Sequence, residues 1–186
     1  LRAIVARFGE PRKASLVRRV AARVEHGVSA EAVGLTAIDG VGAGRASRMH
    51  DAGFDTPAAV ADADPGDLAE AGLAPGVAER IVEQAASLPA VDIDWGDFPQ
   101  SIGVGSNDMR EVTVSNLGGG ARVALRVTVN GVEMTTRETF LDEAATVPVG
   151  IFGGDADVLR FAVEVAFPEL PLSPTVEERT VTVTDR

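Results

Sequence analysis

Three glycines stand directly ahead of two arginines and a histidine in "IDGVGAGRASRMHDAGF", Ile38 to Phe54. Gly40, Gly42 and Gly44 leave bare backbone that a ligand can approach closely. Arg45 and Arg48 are three apart, so a helix beginning at Ala43 carries them on one outer face. The first N–H groups of such a helix have no intrahelical partner and lie at the positive end of its dipole. Free amides, bare glycines and guanidiniums together make a site for phosphate. Contacts of this type hold no base information. Nucleic acid bound this way is bound without regard to sequence and with a steep salt dependence. The competing reading is a hairpin used only for packing.

The flanking residues define the elements that must hold this site. Leu35 and Ile38 supply the apolar face of a short helix, and Val41 turns into the core between two flexible glycines. The following helix runs from about Ala43 to Ala52, with Ala46 and Met49 inward and Gly53 closing it. The unit reads as a helix-hairpin-helix. A weaker copy follows: Gly40, Gly44, Ala46, Arg48 and Met49 recur as Gly72, Gly76, Ala78, Arg80 and Ile81. Gly42, Arg45 and Ser47 are replaced by Ala74, Val77 and Glu79, so the second unit reads as a structural partner. Thr56-Pro57 and Asp64-Pro65 between the copies are cap-plus-proline helix starts. Upstream, Leu16, Val17, Val20, Ala21 and Val24 form an apolar arc of a helix from about Lys13 to His26. Arg12, Arg19, Arg23 and His26 line a neighbouring arc, either a solvated face or a basic stripe along nucleic acid. Gly27 ends this helix and Ser29 can cap the next.

From Arg110 the period changes to two. Val112 and Val114 alternate with polar residues, as do Val123, Leu125, Val127 and Val129. Asn130-Gly131 is a two-residue hairpin signal returning through Val132 and Met134. Further strands fit Thr139–Leu141, Ala145–Ile151, Leu159–Phe167 and Thr180–Thr184, six or seven in all. The expected fold is a two-domain α + β chain, with an all-α helix-hairpin-helix domain before an antiparallel Ig-like β-sandwich. The expected parts are the end of a helical bundle at 1–30, the tandem hairpins at 31–90, a linker at 91–100 pinned by Trp95 and Phe98, and the sandwich at 101–186.

Charge follows this division. The chain has a net charge of −11, yet residues 1–50 carry nine Lys/Arg against four Asp/Glu, while residues 51–100 carry one against eleven. The basic charge is therefore gathered around the first hairpin. Lys13 is the single lysine; the arginine bias and acid excess point to a salt-rich cytoplasm or to a GC-rich genome. The absence of cysteine excludes disulfides and cysteine zinc sites. No apolar run reaches membrane-spanning length and Leu1 opens no signal peptide, so a cytoplasmic place is expected. The first residue is not Met and the pattern opens inside a helix, so the chain reads as a fragment of a longer protein. His26 and His50 have no ligand partners at a metal-binding spacing. Leu117 to Val123, "LGGGARV", lacks the ending of a nucleotide loop and reads as a turn, as does Gly153 to Asp157. No serine sits in a nucleophile motif. No catalytic residue and no metal site are expected.

Arg23 to Leu68 resembles the C-terminal region of archaeal superfamily II DNA repair helicases, the group with a ratchet helical bundle. Arg23, Val24, Gly27, Val28, Gly40, Val41, Gly42, Arg45, Arg48, Ala52 and Gly53 carry the resemblance. It implies that residues 1–30 end the ratchet bundle and that residues 31–90 grip an exiting strand of single-stranded or branched DNA. An Ig-like sandwich follows this module in related RNA helicases. The resemblance also implies motor domains in the same polypeptide that use ATP and magnesium, with no cofactor in this chain. The nucleic-acid-binding residues expected are Gly40, Val41, Gly42, Gly44, Arg45, Arg48, Arg19 and Arg23. The sandwich is a second candidate surface, for a protein partner or the motor; no membrane partner is expected.

Overall fold

The structure, a computed structural model, describes residues 11–185, with the side chains of Pro11 and Arg12 outside the description. The first ten residues of the expected bundle segment, and the Arg12 side chain of the expected basic arc, therefore lie outside the described residues.

Among the described residues, five helices and a 3-10 turn build the first half. Helix α1 (Pro11–His26) stops at Gly27, whose φ of 65° suits glycine. The 3-10 turn Ala32–Ala37 follows, with Ser29 Oγ accepting from the Ala32 N–H at 3.2 Å. Then come α2 (Ala43–Asp51), α3 (Pro57–Ala61), α4 (Pro65–Glu70) and α5 (Pro75–Ala86). Leu35, Ile38, Met49, Val60, Leu68 and Ala78 fill one small core with almost no exposure. Full burial of a side chain of Leu or Met size contributes about 1.5–3 kcal/mol, which anchors both hairpins on a shared floor.

Strands form the second half. A three-stranded sheet has the order β1-β3-β6, and a five-stranded sheet the order β2-β8-β7-β4-β5. Their ranges are β1 (Val91–Asp94), β2 (Ser101–Gly103), β3 (Asn107–Asn116), β4 (Ala121–Val129), β5 (Val132–Leu141), β6 (Ala144–Phe152), β7 (Val158–Ala166) and β8 (Thr175–Thr184). Val123, Leu125, Phe161, Val163 and Val165 of one sheet face Val112, Val114, Val147 and Ile151 of the other. The Asn130-Gly131 turn has φ of 49° and 78°, the twist a two-residue hairpin needs.

Four expectations change. Residues 91–94 are not linker: they form β1, paired antiparallel with β3 from Val91↔Asn116 to Asp94↔Thr113. Trp95 and Phe98, edge to face at 4.7 Å, pin the next stretch into the sandwich core. Among the described residues the strands number eight, because β1 and the short β2 escape periodicity, and β2 runs parallel to β8. The return from Asn130-Gly131 runs unbroken to Leu141, so Thr139–Leu141 is no separate strand. Finally, Leu16, Val20 and Val24 of α1 are 58%, 47% and 81% exposed. This helix instead turns Ser15 inward, and Arg18 Nε donates to the Pro168 carbonyl of the sandwich at 2.9 Å.

The glycine-rich turn between β3 and β4 is the joint of the two halves. Leu117 N–H donates to Ala90 O at 2.7 Å and Gly119 N–H to Leu88 O at 3.1 Å. A Cβ at Gly118 would overlap the Leu88 carbonyl oxygen, and one at Gly119 the Ser87 oxygen. Glycine is needed here because two backbones touch. Asn116 completes the joint: Oδ1 accepts from Ala90 and Gly118, and Nδ2 donates to the carbonyls of Gly119, Leu141 and Asp142.

Candidate nucleic-acid interface

The first hairpin is a tight turn held by backbone bonds. Ile38 N–H donates to Leu35 O, and Val41 N–H to Ile38 O at 3.0 Å. Gly40 adopts φ 78°, while the buried Val41 plugs the core beneath. Gly42 caps α2 with its carbonyl, which accepts from Arg45 and Ala46 at 3.1 and 3.0 Å. The ladder therefore starts at Arg45. The N–H groups of Ala43 and Gly44 precede it and point out of the helix end.

Other helices of this domain close their ends with their own side chains. Thr56 Oγ1 accepts from Ala59 N–H at 3.1 Å at the start of α3, and Asp64 Oδ1 from Gly66 N–H at 2.7 Å at the start of α4. Neither hairpin helix has such a cap: Gly42 precedes α2 and Ala74 precedes α5. The second hairpin is the poorer donor, since Pro75 at its first helical position has no N–H. A Cβ added at Gly40, Gly42 or Gly44 would meet nothing within 4 Å. Gly42 has an ordinary φ of −92°. Neither conformation nor internal packing demands glycine at 42 or 44, so the bare surface faces outward.

The arginines take different roles. Arg45 is half-buried, and its Nη1 donates to Gly40 O at 2.5 Å, bracing the turn. Arg48 is exposed and crosses to the second hairpin, its δ-carbon 3.7 Å from where a Cβ of Gly72 would sit. Among the described residues, neither has a carboxylate within ion-pair distance. Arg23 is exposed at the end of α1. Its charge reaches Glu31, whose carboxyl is held below the usual range by its own backbone N–H and by Ser29, with smaller help from His50 and Arg23. His50 Nδ1 lies 2.7 Å from Asp55 Oδ1, in contact but not aligned as a hydrogen bond.

Arg19 does not join a basic stripe. It lines a cavity of about 370 Å³ between α1 and the sandwich, with Lys13, Ser15, Glu164 and Ala166. Its Nε is closed off from solvent there. The helix docks on β7, and a residue counted on the solvated arc becomes part of the joint. The residue that sequence reading passed over is Arg80. It lines a cavity of about 210 Å³ together with Asp39, Gly40, Arg45, Val77, Ile81 and Gln84. Two signals marked it: it repeats Arg48 in the second unit, and it is the one basic residue between 51 and 100. Among the described residues, no group of three His, Cys, Asp or Glu is placed to hold a metal ion. None of the described helices is long and apolar enough to cross a membrane.

Residues 33–87 match the family model of a SAM-like helix-hairpin-helix tandem. The strands bear a likeness to a CARDB domain from Pyrococcus furiosus, crystallised with di-metal ions: 23% identity over 54% of this chain and 97% of that one, TM-score 0.47. A solution structure of the same domain gives 22% over 52% and 94%, TM-score 0.42. A β-glucosidase from Listeria innocua in complex with glucose gives 15% over 51% of this chain and 16% of that one, TM-score 0.34. All three lie below the level at which chemistry carries over. The chain thus joins a tandem helix-hairpin-helix region, the kind of module that suggests nucleic-acid binding, to a β-sandwich of one antiparallel and one mixed sheet.

Proposed function

We propose that the first hairpin grips the phosphate backbone of nucleic acid without reading its bases. The observation that carries this is the open tip: uncapped amides at Ala43 and Gly44, beside Gly42 and Gly44, which neither backbone conformation nor internal packing requires to be glycine. A phosphate oxygen can approach these amides directly, and Arg48 stands on the same helix to hold charge. Arg45 reinforces the turn and adds its remaining N–H donors. The matched family model supports this reading for residues 33–87. The resemblance of Arg23 to Leu68 to helicase C-terminal regions supports a finer one. In it the module follows an ATP-dependent motor in the cytoplasm, takes single-stranded or branched DNA, and catalyses nothing itself.

The test is titration of labelled single-stranded DNA at several salt concentrations. Affinity should fall steeply with salt, the slope giving about 0.7 per phosphate contacted. Arg45→Ala/Arg48→Ala should weaken binding and flatten the slope. Unchanged affinity in that variant removes the proposal.

A second reading assigns protein docking to the sandwich. The exposure of β5 along nearly its whole length favours it, with Val132, Met134 and Phe140 65%, 60% and 64% exposed at an edge of the five-stranded sheet. If docking is the main role, capture of the motor domains depends on β5 and no DNA binding is measurable.

A further inference from the structure

The cavity between the two hairpins is built from both repeats. Asp39, Gly40 and Arg45 come from the first, and Val77, Arg80, Ile81 and Gln84 from the second. Arg45 gives one N–H to Gly40 O, and Arg80 Nε gives one to Gly76 O at 3.2 Å. Each guanidinium is thus tethered to a glycine carbonyl of its own hairpin and keeps its other donors for the shared space. The arrangement is reciprocal, since Arg48 of the first unit lies on Gly72 of the second, while Arg80 of the second faces the Gly40 cavity. Among the described residues, neither Arg45 nor Arg80 has an ion-pair partner. Eleven carboxylates share residues 51–100 with Arg80 alone as cation, and it is this cation that lines one cavity with Arg45.

We propose that this cavity is a second phosphate seat, in which Arg45 and Arg80 together hold one phosphodiester of the bound strand. The second hairpin then contributes directly to binding. This rests on the reading of the first hairpin as a backbone grip. The Asp39 carboxylate at the same cavity opposes added negative charge, which limits the seat to a single phosphate.

The experiment is a double-mutant cycle with Arg45→Gln, Arg80→Gln and both together. Binding of a fluorescent single-stranded oligothymidylate is read by anisotropy over a KCl series, with circular dichroism to verify folding. Arg80→Gln should weaken binding about tenfold, and Arg80→Lys should restore part of the loss. The two substitutions should not multiply, because they share one partner. The double variant should lower the salt slope by about 0.7 in total. A silent Arg80→Gln beside a weakened Arg45→Gln overturns the seat and leaves the first hairpin's role standing. Multiplicative losses with a slope change of about 1.4 also overturn it, since they mean two separate phosphates. If both single variants bind as the parent does, the seat falls, while the grip of the Ala43 and Gly44 amides and Arg48 is decided separately by Arg45→Ala/Arg48→Ala.

Discussion

Gly44→Ala separates binding from folding by sign. Gly44 lies in the first turn of α2, and a Cβ there meets no atom within 4 Å. Alanine therefore fits without strain. Glycine within a helix costs about 0.8–1 kcal/mol relative to alanine, so the substitution should stabilise the helical half by up to about that amount. In a chain of this size such a gain raises Tm by about 2–4 °C. The same methyl stands over the Ala43 and Gly44 amides and keeps a phosphate oxygen from reaching them. Losing one hydrogen bond to a charged group costs about 1.5–3 kcal/mol, which is tenfold or more in Kd. Thermal melting and DNA anisotropy at one fixed salt concentration give both numbers on the same samples. Higher Tm with weaker binding is the expected pair. Unchanged affinity in a stabilised variant refutes the argument, because Gly44 then keeps no space for a ligand. A fall in stability refutes the packing half of it.

Three further outcomes follow from particular contacts. Asp39→Asn removes a like charge from the cavity of Arg45 and Arg80, and should tighten DNA binding about two- to fivefold at low salt, with the gain shrinking as salt screens it. Gly118→Ala and Gly119→Ala drive a methyl into the Leu88 and Ser87 carbonyls. Each should destabilise the joint by about 1–3 kcal/mol, read as lower Tm and faster proteolysis near residues 87–90. The Glu133 carboxyl is held below its usual range by hydrogen bonds from Arg126 and then Thr136. Its contribution to stability is present above the ordinary carboxylate pKa and is lost as pH falls through the lowered one. Glu133→Gln should make acid unfolding slightly shallower, and an identical acid melting curve would show that this exposed pair contributes nothing.

The helical half was legible because its signals are local. Thr56 and Asp64 cap the helices that their prolines announce, and Gly27, Gly40, Gly53 and Gly72 take the positive φ that ends or turns each segment. The alternation of Leu159, Phe161, Val163, Val165 and Phe167 marks β7, and all five are buried. β1 escaped notice for a physical reason. Four residues with two aspartates carry too little periodicity, and only pairing with β3 makes them a strand. The apolar arc of α1 misled because helical spacing says which residues share a face, not whether anything covers it.

Residue types and spacing by themselves determined the fold class, the open glycine tip and its arginines, since turn chemistry and periodicity depend on neighbours in the chain. Tertiary structure alone decided that Arg19 turns to the sandwich, that Gly118 and Gly119 form a joint rather than an ordinary turn, and that Arg80 lines one cavity with Arg45. Those three facts depend on which surfaces come together across dozens of residues. No local rule of propensity or charge spacing encodes that.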